Sequence, residues 1–217
     1  MLFASPLTEV GEHRSVIVDL LKFQLGVLHS PVKTLRRFAA CSRRLRYGLT
    51  TVLLFASLYT AGVIAAYSSG HLPYGVPLLL RIPIEDYYFY ESFFLLPITL
   101  ATWVTFAGSV QLIALGFGGR GTFEDMLAAS GLPFIVLIVF MFLPDLVVDY
   151  ALPASVRTQW LFVQVINPAR LVAASVWLLL LHGVAVSTVQ QVSICKAAVI
   201  TLLAYVPYLG ITMTYMR

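Results

Sequence analysis

The chain has 217 residues, of which 59% are hydrophobic and only 11% charged, and its mean hydropathy is +0.89. A soluble domain carries about 25% charged residues, so composition excludes a soluble globular fold. The net charge is +4, but the basic residues flank apolar stretches and form no nucleic-acid motif, so nucleic acid is set aside as a partner.

The first residues lack a basic start followed by an adequate apolar core, so no cleavable leader is expected. Ser15 to Leu28 is nearly all apolar, interrupted by Asp19, Lys22 and Gln24. It is too short to span a bilayer and is expected to lie in the interface. Ser30-Pro31 reads as an N-cap followed by a first helical residue. The helix that follows sets Val32, Leu35, Phe38 and Ala39 on one stripe. Lys33, Arg36, Arg37, Arg43, Arg44 and Arg46 crowd its polar surface and the approach to the membrane. These six are the candidate lipid-headgroup residues, each able to contribute about 1 kcal/mol of attraction to anionic lipid. The plainer reading is a topology signal that needs no partner. Residues 1–46 are thus expected to form a basic helical region at the membrane face, and 47–217 a five-span membrane domain.

The first span is 47–67, without a charge, and Gly62 with Ala66 offers a small-residue pair for close helix contact. Prolines 73, 77 and 83 mark a connecting segment that ends in Tyr87-Tyr88-Phe89-Tyr90, read as an interfacial aromatic belt. The second and third spans, 92–116 and 126–143, flank the turn FGGRGTFED. There Gly118, Gly119 and Gly121 permit a tight reversal, while Arg120 stays at the aqueous face. Thr122 with Asp125 three residues on reads as a capping box, and Glu124 and Asp125 complement the positive end of the helix they start. The turn lacks the Gly-Lys-Ser/Thr ending of a phosphate loop and follows no strand, and those same carboxylates would repel an anion at the helix N-terminus. Gly131-Leu132-Pro133 predicts a kink or break in the third span, because Pro133 removes an amide donor. Asp145 and Asp149, with Pro144 and Pro153, mark its exit, and Trp160 and Phe162 return to the interface. Asn167-Pro168 is expected to cap and start the fourth span, 168–188. After the polar turn of Gln190, Gln191, Ser193 and Lys196, the fifth span runs 197–215 with Pro207 inside it.

Five spans put the two termini on opposite sides. With the N-terminus in the cytosol, ten of the 14 Lys and Arg residues fall inside and four outside (Arg81, Arg157, Arg170 and Arg217). That asymmetry predicts N-in, C-out. Cys41 and Cys195 then face the cytosol, without metal-ligand spacing, and are expected to be free thiols.

Ionisable groups within spans are where chemistry would concentrate, since each is costly at depth. Arg170 is placed in the first turn of the fourth span, where a carboxylate such as Asp145 or Asp149 would offset its clash with the helix dipole. His182 is the deepest titratable side chain and is expected to be a neutral imidazole bonded to a carbonyl or serine, since no acid stands near it for a proton relay. Thr99, Thr102, Thr105, Ser109 and Gln111 recur along the second span. Thr102, Thr105 and Ser109 share a face that either lines a polar path or bonds neighbouring helices. No hydrolase, zincin or nucleotide-binding motif occurs. Catalytic residues, cofactors and metals are therefore not expected. The candidate interaction residues are Gly118, Gly119, Arg120, Gly121, Asp125, Pro133, Arg170, His182 and Lys196.

Three stretches carry a family likeness: GGRGTFEDMLAASGLP (118–133), QQVSICKAAVITLLAY (190–205) and HSPVKTLRRF (29–38). In this order relative to the spans they resemble the Yip1 domain, an all-α membrane fold of five transmembrane helices, and the Ser-Pro start is similar to that of prokaryotic members. The Asp-Leu-Tyr-Gly-Pro motif of the eukaryotic trafficking members is absent. The resemblance implies an integral membrane protein of a bacterial cytoplasmic membrane. The residues then suggest a non-enzymatic protein of membrane organisation or interaction. Its expected partners are membrane lipids, anionic ones included, and a membrane protein or a second copy of the chain. The alternatives are a small permease or channel, and an accessory subunit of a larger membrane complex. A third is an intramembrane lipid enzyme using His182, Arg170 and Asp145.

Overall fold

The computed structural model describes residues 6–73, 80, 82–151 and 162–215, the side chains of 6–15, 148–151, 162 and 163 excepted. The expectations at Pro77, Arg81, Pro153, Arg157, Trp160 and Arg217 lie outside the described residues, as do the side chains of Arg14, Asp149 and Phe162.

Every regular element among the described residues is a helix. Helix α1 covers Pro6–His29 and α2 covers Pro31–Ala39. The first span is α3, Arg44–Ser68, and the second is α4, Tyr87–Gly116. The third is broken into α5 (Phe123–Gly131), α6 (Phe134–Leu137) and α7 (Leu143–Ala151). The fourth is α8, Asn167–Gln190, and the fifth α9, Ile194–Tyr215. Among the described residues, five helical stretches are long and apolar enough to cross a membrane: Arg44–Ser68, Tyr87–Gly116, Phe123–Val147, Gln164–Gln190 and Ile194–Tyr215.

Backbone chemistry explains the irregular places. Pro133 interrupts the third span between α5 and α6, as its missing amide requires. Two π turns, Ile138–Phe142 and Phe162–Ile166, each lie just before a proline. Pro144 cannot donate to the Phe140 carbonyl, nor Pro168 to that of Gln164, and a wider turn is the local response. The second π turn corrects the expected start of the fourth span. Ile166 takes the cap position, without a side-chain cap bond, and Asn167 is already helical. Arg170 therefore lies about two turns inside the continuous stretch that begins at Gln164, not in a first turn. Ser30 does precede Pro31 at the cap of α2, but it makes no side-chain cap bond.

The extent of the connecting segment is also corrected. Tyr87 to Tyr90 is the first turn of α4, with Tyr87 and Tyr88 buried beside Val63 and Leu95 and Phe89 and Tyr90 exposed. The Tyr87 hydroxyl donates to the Tyr215 carbonyl at 3.1 Å, tying the second span to the fifth at this far end of the bundle. Glu91, one turn further along the same stripe, is fully buried.

At the opposite, basic end, α1 and α2 join the bundle. Val27, Leu35 and Phe38 share one buried cluster with Tyr47, Trp103, Met126 and Leu181. The ring of Phe23 meets those of Phe38 and Tyr47, and the Gln24 amide donates to Thr51 at 3.2 Å. The apolar edge of α2 thus faces protein, with α8 and α5 as its neighbours. Val32 alone of the expected stripe is exposed.

Candidate functional site

Two polar assemblies hold the bundle together, and most of the residues singled out in the sequence belong to one of them. The first lies at the basic end. Gly118 turns the chain with φ +80°, a conformation that glycine adopts without strain. Gly119 and Gly121 then press against the end of α8: a Cβ on Gly119 would lie 2.7 Å from the Gln190 Oε1, and one on Gly121 2.6 Å from the Val189 carbonyl oxygen. Gln190 is completely buried there and works as a clasp. Its carbonyl accepts from the Arg120 amide (3.1 Å), its Oε1 from the Gly121 amide (3.1 Å), and its Nε2 donates to the Gln111 Oε1 (2.9 Å). The Gln111 Nε2 in turn donates to the Gly121 carbonyl at 3.0 Å. The Gly119 amide closes back on Ala114, and Lys196 Nζ reaches the Phe117 carbonyl at 3.3 Å. With these amides already paired, the loop has no anion-cradling nest.

Thr122 caps α5 as its sequence predicts: its Oγ1 accepts from the Asp125 amide at 3.1 Å and donates to the Asp125 carboxylate at 2.8 Å. The same carboxylate stands 2.6 Å from Arg44 Nε, a charge contact rather than a well-aimed hydrogen bond. Arg44 is therefore turned inward from the other five candidate headgroup residues. Lys33, Arg36, Arg37, Arg43 and Arg46 are exposed.

The second assembly forms where the third span breaks. A Cβ on Gly131 would sit 2.5 Å from the Gly48 carbonyl oxygen, and one on Gly48 would collide with the Ala128 carbonyl. Backbone thus touches backbone between α3 and α5. The break leaves the Ser130 carbonyl facing α8, and His182 meets it with Nε2 at 3.2 Å while Nδ1 lies 2.8 Å from the Tyr205 hydroxyl. A carbonyl can only accept, so Nε2 carries the proton and the tyrosine donates to Nδ1. Further along, Arg170 donates to the carbonyls of Phe140 (3.1 Å) and Met141 (3.0 Å), to Asn167 Oδ1 (2.6 Å), and to Asp145. The expected ion pair is present, and the arginine also satisfies the carbonyl that Pro144 strands.

Against this geometry, the sequence matches the Yip1 domain over residues 25–216. The chain belongs to the Yip1 domain family. With its five apolar helices, this Yip1-domain chain is an integral membrane protein. No curated protein and no solved structure matches it.

Gln190 and Gln111 are not legible in the sequence as a pair, because a lone polar residue at a span end reads as solvated. Gly48 is not legible either, because nothing in its neighbourhood signals a backbone contact. The Thr-rich face of α4 does not run the length of this Yip1 domain. Thr102 bonds back to the Thr99 carbonyl, and Thr99 and Thr102 line a cavity that Thr105, Ser109 and Gln111 do not. Beyond Thr102, the Phe106 ring packs on His182 at 4.5 Å and on Tyr205 at 5.3 Å, an aromatic floor across that route. The trio an intramembrane lipid enzyme would need does not bond together: Arg170 pairs with Asp145, while His182 bonds Ser130 and Tyr205. Among the described residues, no three His, Cys, Asp or Glu side chains gather to hold a metal.

Proposed function

We propose that this chain is a non-enzymatic, membrane-organising protein of a bacterial cytoplasmic membrane, with its N-terminus in the cytosol and its C-terminus outside. It engages the anionic inner leaflet through α1 and α2. One observation carries the reading. The apolar edge of α2 is buried against the bundle through Leu35 and Phe38, so Lys33, Arg36 and Arg37 are held outward in a fixed array, with Arg43 and Arg46 beside them. On α1, Ile17, Leu21 and Leu25 recur every fourth residue and are all exposed, an apolar ridge suited to the acyl boundary of the same leaflet. Five exposed cations at roughly 1 kcal/mol each supply on the order of 5 kcal/mol of attraction, before salt screening.

The test is hydrogen exchange of residues 16–46 in nanodiscs of phosphatidylcholine, with and without phosphatidylglycerol. Anionic lipid should protect this region in the wild type, and the triple substitution Lys33→Glu, Arg36→Glu, Arg37→Glu should abolish the difference. Equal exchange in the two lipids would defeat the reading. Orientation is checked separately through the free thiol of Cys195, which is exposed. A membrane-impermeant maleimide should label it in inverted vesicles and not in intact cells. A permease instead would pass solute in proteoliposomes, and robust flux would displace the organising role.

A further inference from the structure

Within the membrane half remote from α2, the spans part around a cavity of about 550 Å³. Its walls come from α3 (Phe55, Tyr59), α4 (Thr99, Thr102), the third span, α8 and α9. Its floor is Tyr205, the hydroxyl that holds His182. One side is open. Ser175 and Val176 of α8 and Leu202, Val206 and Leu209 of α9 line the cavity and are also exposed on the bundle surface. They frame a gap between the fourth and fifth spans. That surface faces hydrocarbon in a bilayer, so whatever enters comes from the lipid phase. Pro207 lies at this gap, and its missing amide leaves α9 without a donor for the Leu203 carbonyl there.

Thr99 gives the cavity its second property. It is only 2% exposed, it lines the cavity, and its hydroxyl has no hydrogen-bond partner among the described residues. A buried hydroxyl costs free energy until something bonds it. Charge sets the third property. Among the described residues no lysine or arginine lines the cavity, and Asp145, the one charged residue that does, is paired with Arg170. A phosphate headgroup would find no free cation there.

We propose that the cavity binds a neutral lipid with a single aliphatic chain, the chain entering between the fourth and fifth spans and an ester or hydroxyl oxygen bonding Thr99. The volume falls in the range of roughly 300–1,000 Å³ typical of sites for one small ligand. This site lies at the opposite end of the bundle from the basic surface, so it stands or falls independently of the proposed role of α1 and α2.

The test uses full-length protein in phosphatidylcholine nanodiscs and a monoacylglycerol carrying a diazirine in its chain, with adducts mapped by mass spectrometry. Adducts should fall on the segments bearing Phe55, Leu178 and Tyr205, and excess unmodified monoacylglycerol should suppress them. Val206→Trp, a change at an exposed site, should close the gap and cut labelling at least fivefold. Ser175→Trp closes it from the other side, should the first variant fail to fold. Thr99→Val should lower labelling several-fold at low probe concentration. Adducts confined to the lipid-facing residues Leu112, Val172 and Met213, insensitive to either tryptophan, would overturn the site. Undiminished labelling of Thr99→Val would overturn the role of that hydroxyl. Equal cavity labelling by a lysophosphatidic acid probe would overturn the assignment of a neutral headgroup.

Discussion

Replacing Gly131 by alanine tests whether backbone contact between the first and third spans sets the spacing of the bundle. The added Cβ would meet the Gly48 oxygen at 2.5 Å, its carbonyl carbon at 2.7 Å and its Cα at 2.8 Å. Carbon atoms pack at about 3.5–4.0 Å, so α3 and α5 must separate by about 0.7 Å or more. Neither obstacle is a side chain that can swing away. Overpacking costs typically 1–3 kcal/mol, and a rigid backbone obstacle puts this case near about 3. Alanine recovers about 1 kcal/mol over glycine inside a helix, which leaves a net loss on the order of 2 kcal/mol. In a chain of this size that lowers the thermal midpoint by roughly 4–8 °C. The assay is size-exclusion retention after heating in one detergent, with Gly210→Ala as the paired control. Gly210 lies inside α9, and a Cβ there meets nothing within 4 Å. The control should therefore melt at or slightly above the wild type. If Gly131→Ala melts as high as Gly210→Ala, the close approach does not govern packing and the reasoning fails.

Further substitutions address the polar assemblies and the end of α8. Gln190→Leu strands the Gly121 amide and the Gln111 Oε1, at about 1–3 kcal/mol for each group left unpaired; the Gly121 amide should exchange at least tenfold faster, and unchanged exchange would show that the clasp is not holding the loop. Arg170→Lys keeps the charge but cannot reach two carbonyls, Asn167 and Asp145 at once. It should lose stability on the order of 1–3 kcal/mol, nearly as much as Arg170→Met, and full retention of the wild-type midpoint would mean that charge alone matters. Gln191 ends α8 with φ +55°, where a side chain costs roughly 1–2 kcal/mol. Gln191→Gly should raise the midpoint by a few degrees in the same heating assay, and a fall would show that the glutamine side chain has a role of its own.

The spans were legible because each is an almost uncharged run of the required length, and the break at Pro133 because proline lacks an amide. The cap at Thr122 was also legible from a local rule about helix ends, whereas the Arg170–Asp145 pair is present although Arg170 does not lie at the helix end on which that expectation rested. What stayed hidden depends on distance in the chain. Gln111 and Gln190 are 79 residues apart, and Gly48 and Gly131 meet only because two helices cross there. The start of the fourth span was misread for a related reason. Asn-Pro has the pattern of a helix start, yet a π turn carries the helix through it, and Asn167 bonds Arg170 instead of a free amide. Arg44 was grouped with its basic neighbours until the fold brought Asp125 beside it.

The polar side chains inside this bundle share a pattern that bears on what the protein can do. Gln190, Gln111, Arg170, His182 and Trp103 each bond a backbone group or hold a side chain that does, and in most cases the backbone group lies at a helix end, a turn or a proline break. In a membrane those are the places where a carbonyl or amide would otherwise go without a partner. Residues committed in this way act on the fold rather than on a ligand, and substituting them should change stability before it changes any binding. Thr99 departs from the pattern, since its hydroxyl repairs nothing in the backbone and the residue lines the cavity. Functional variants in the spans should accordingly concentrate around that cavity, and stability variants around Gln190, Gly131 and Arg170. A saturation screen that scores membrane insertion and monoacylglycerol labelling separately would reveal the division. Thr99 substitutions that abolish insertion, or Gln190 substitutions that alter labelling alone, would contradict it.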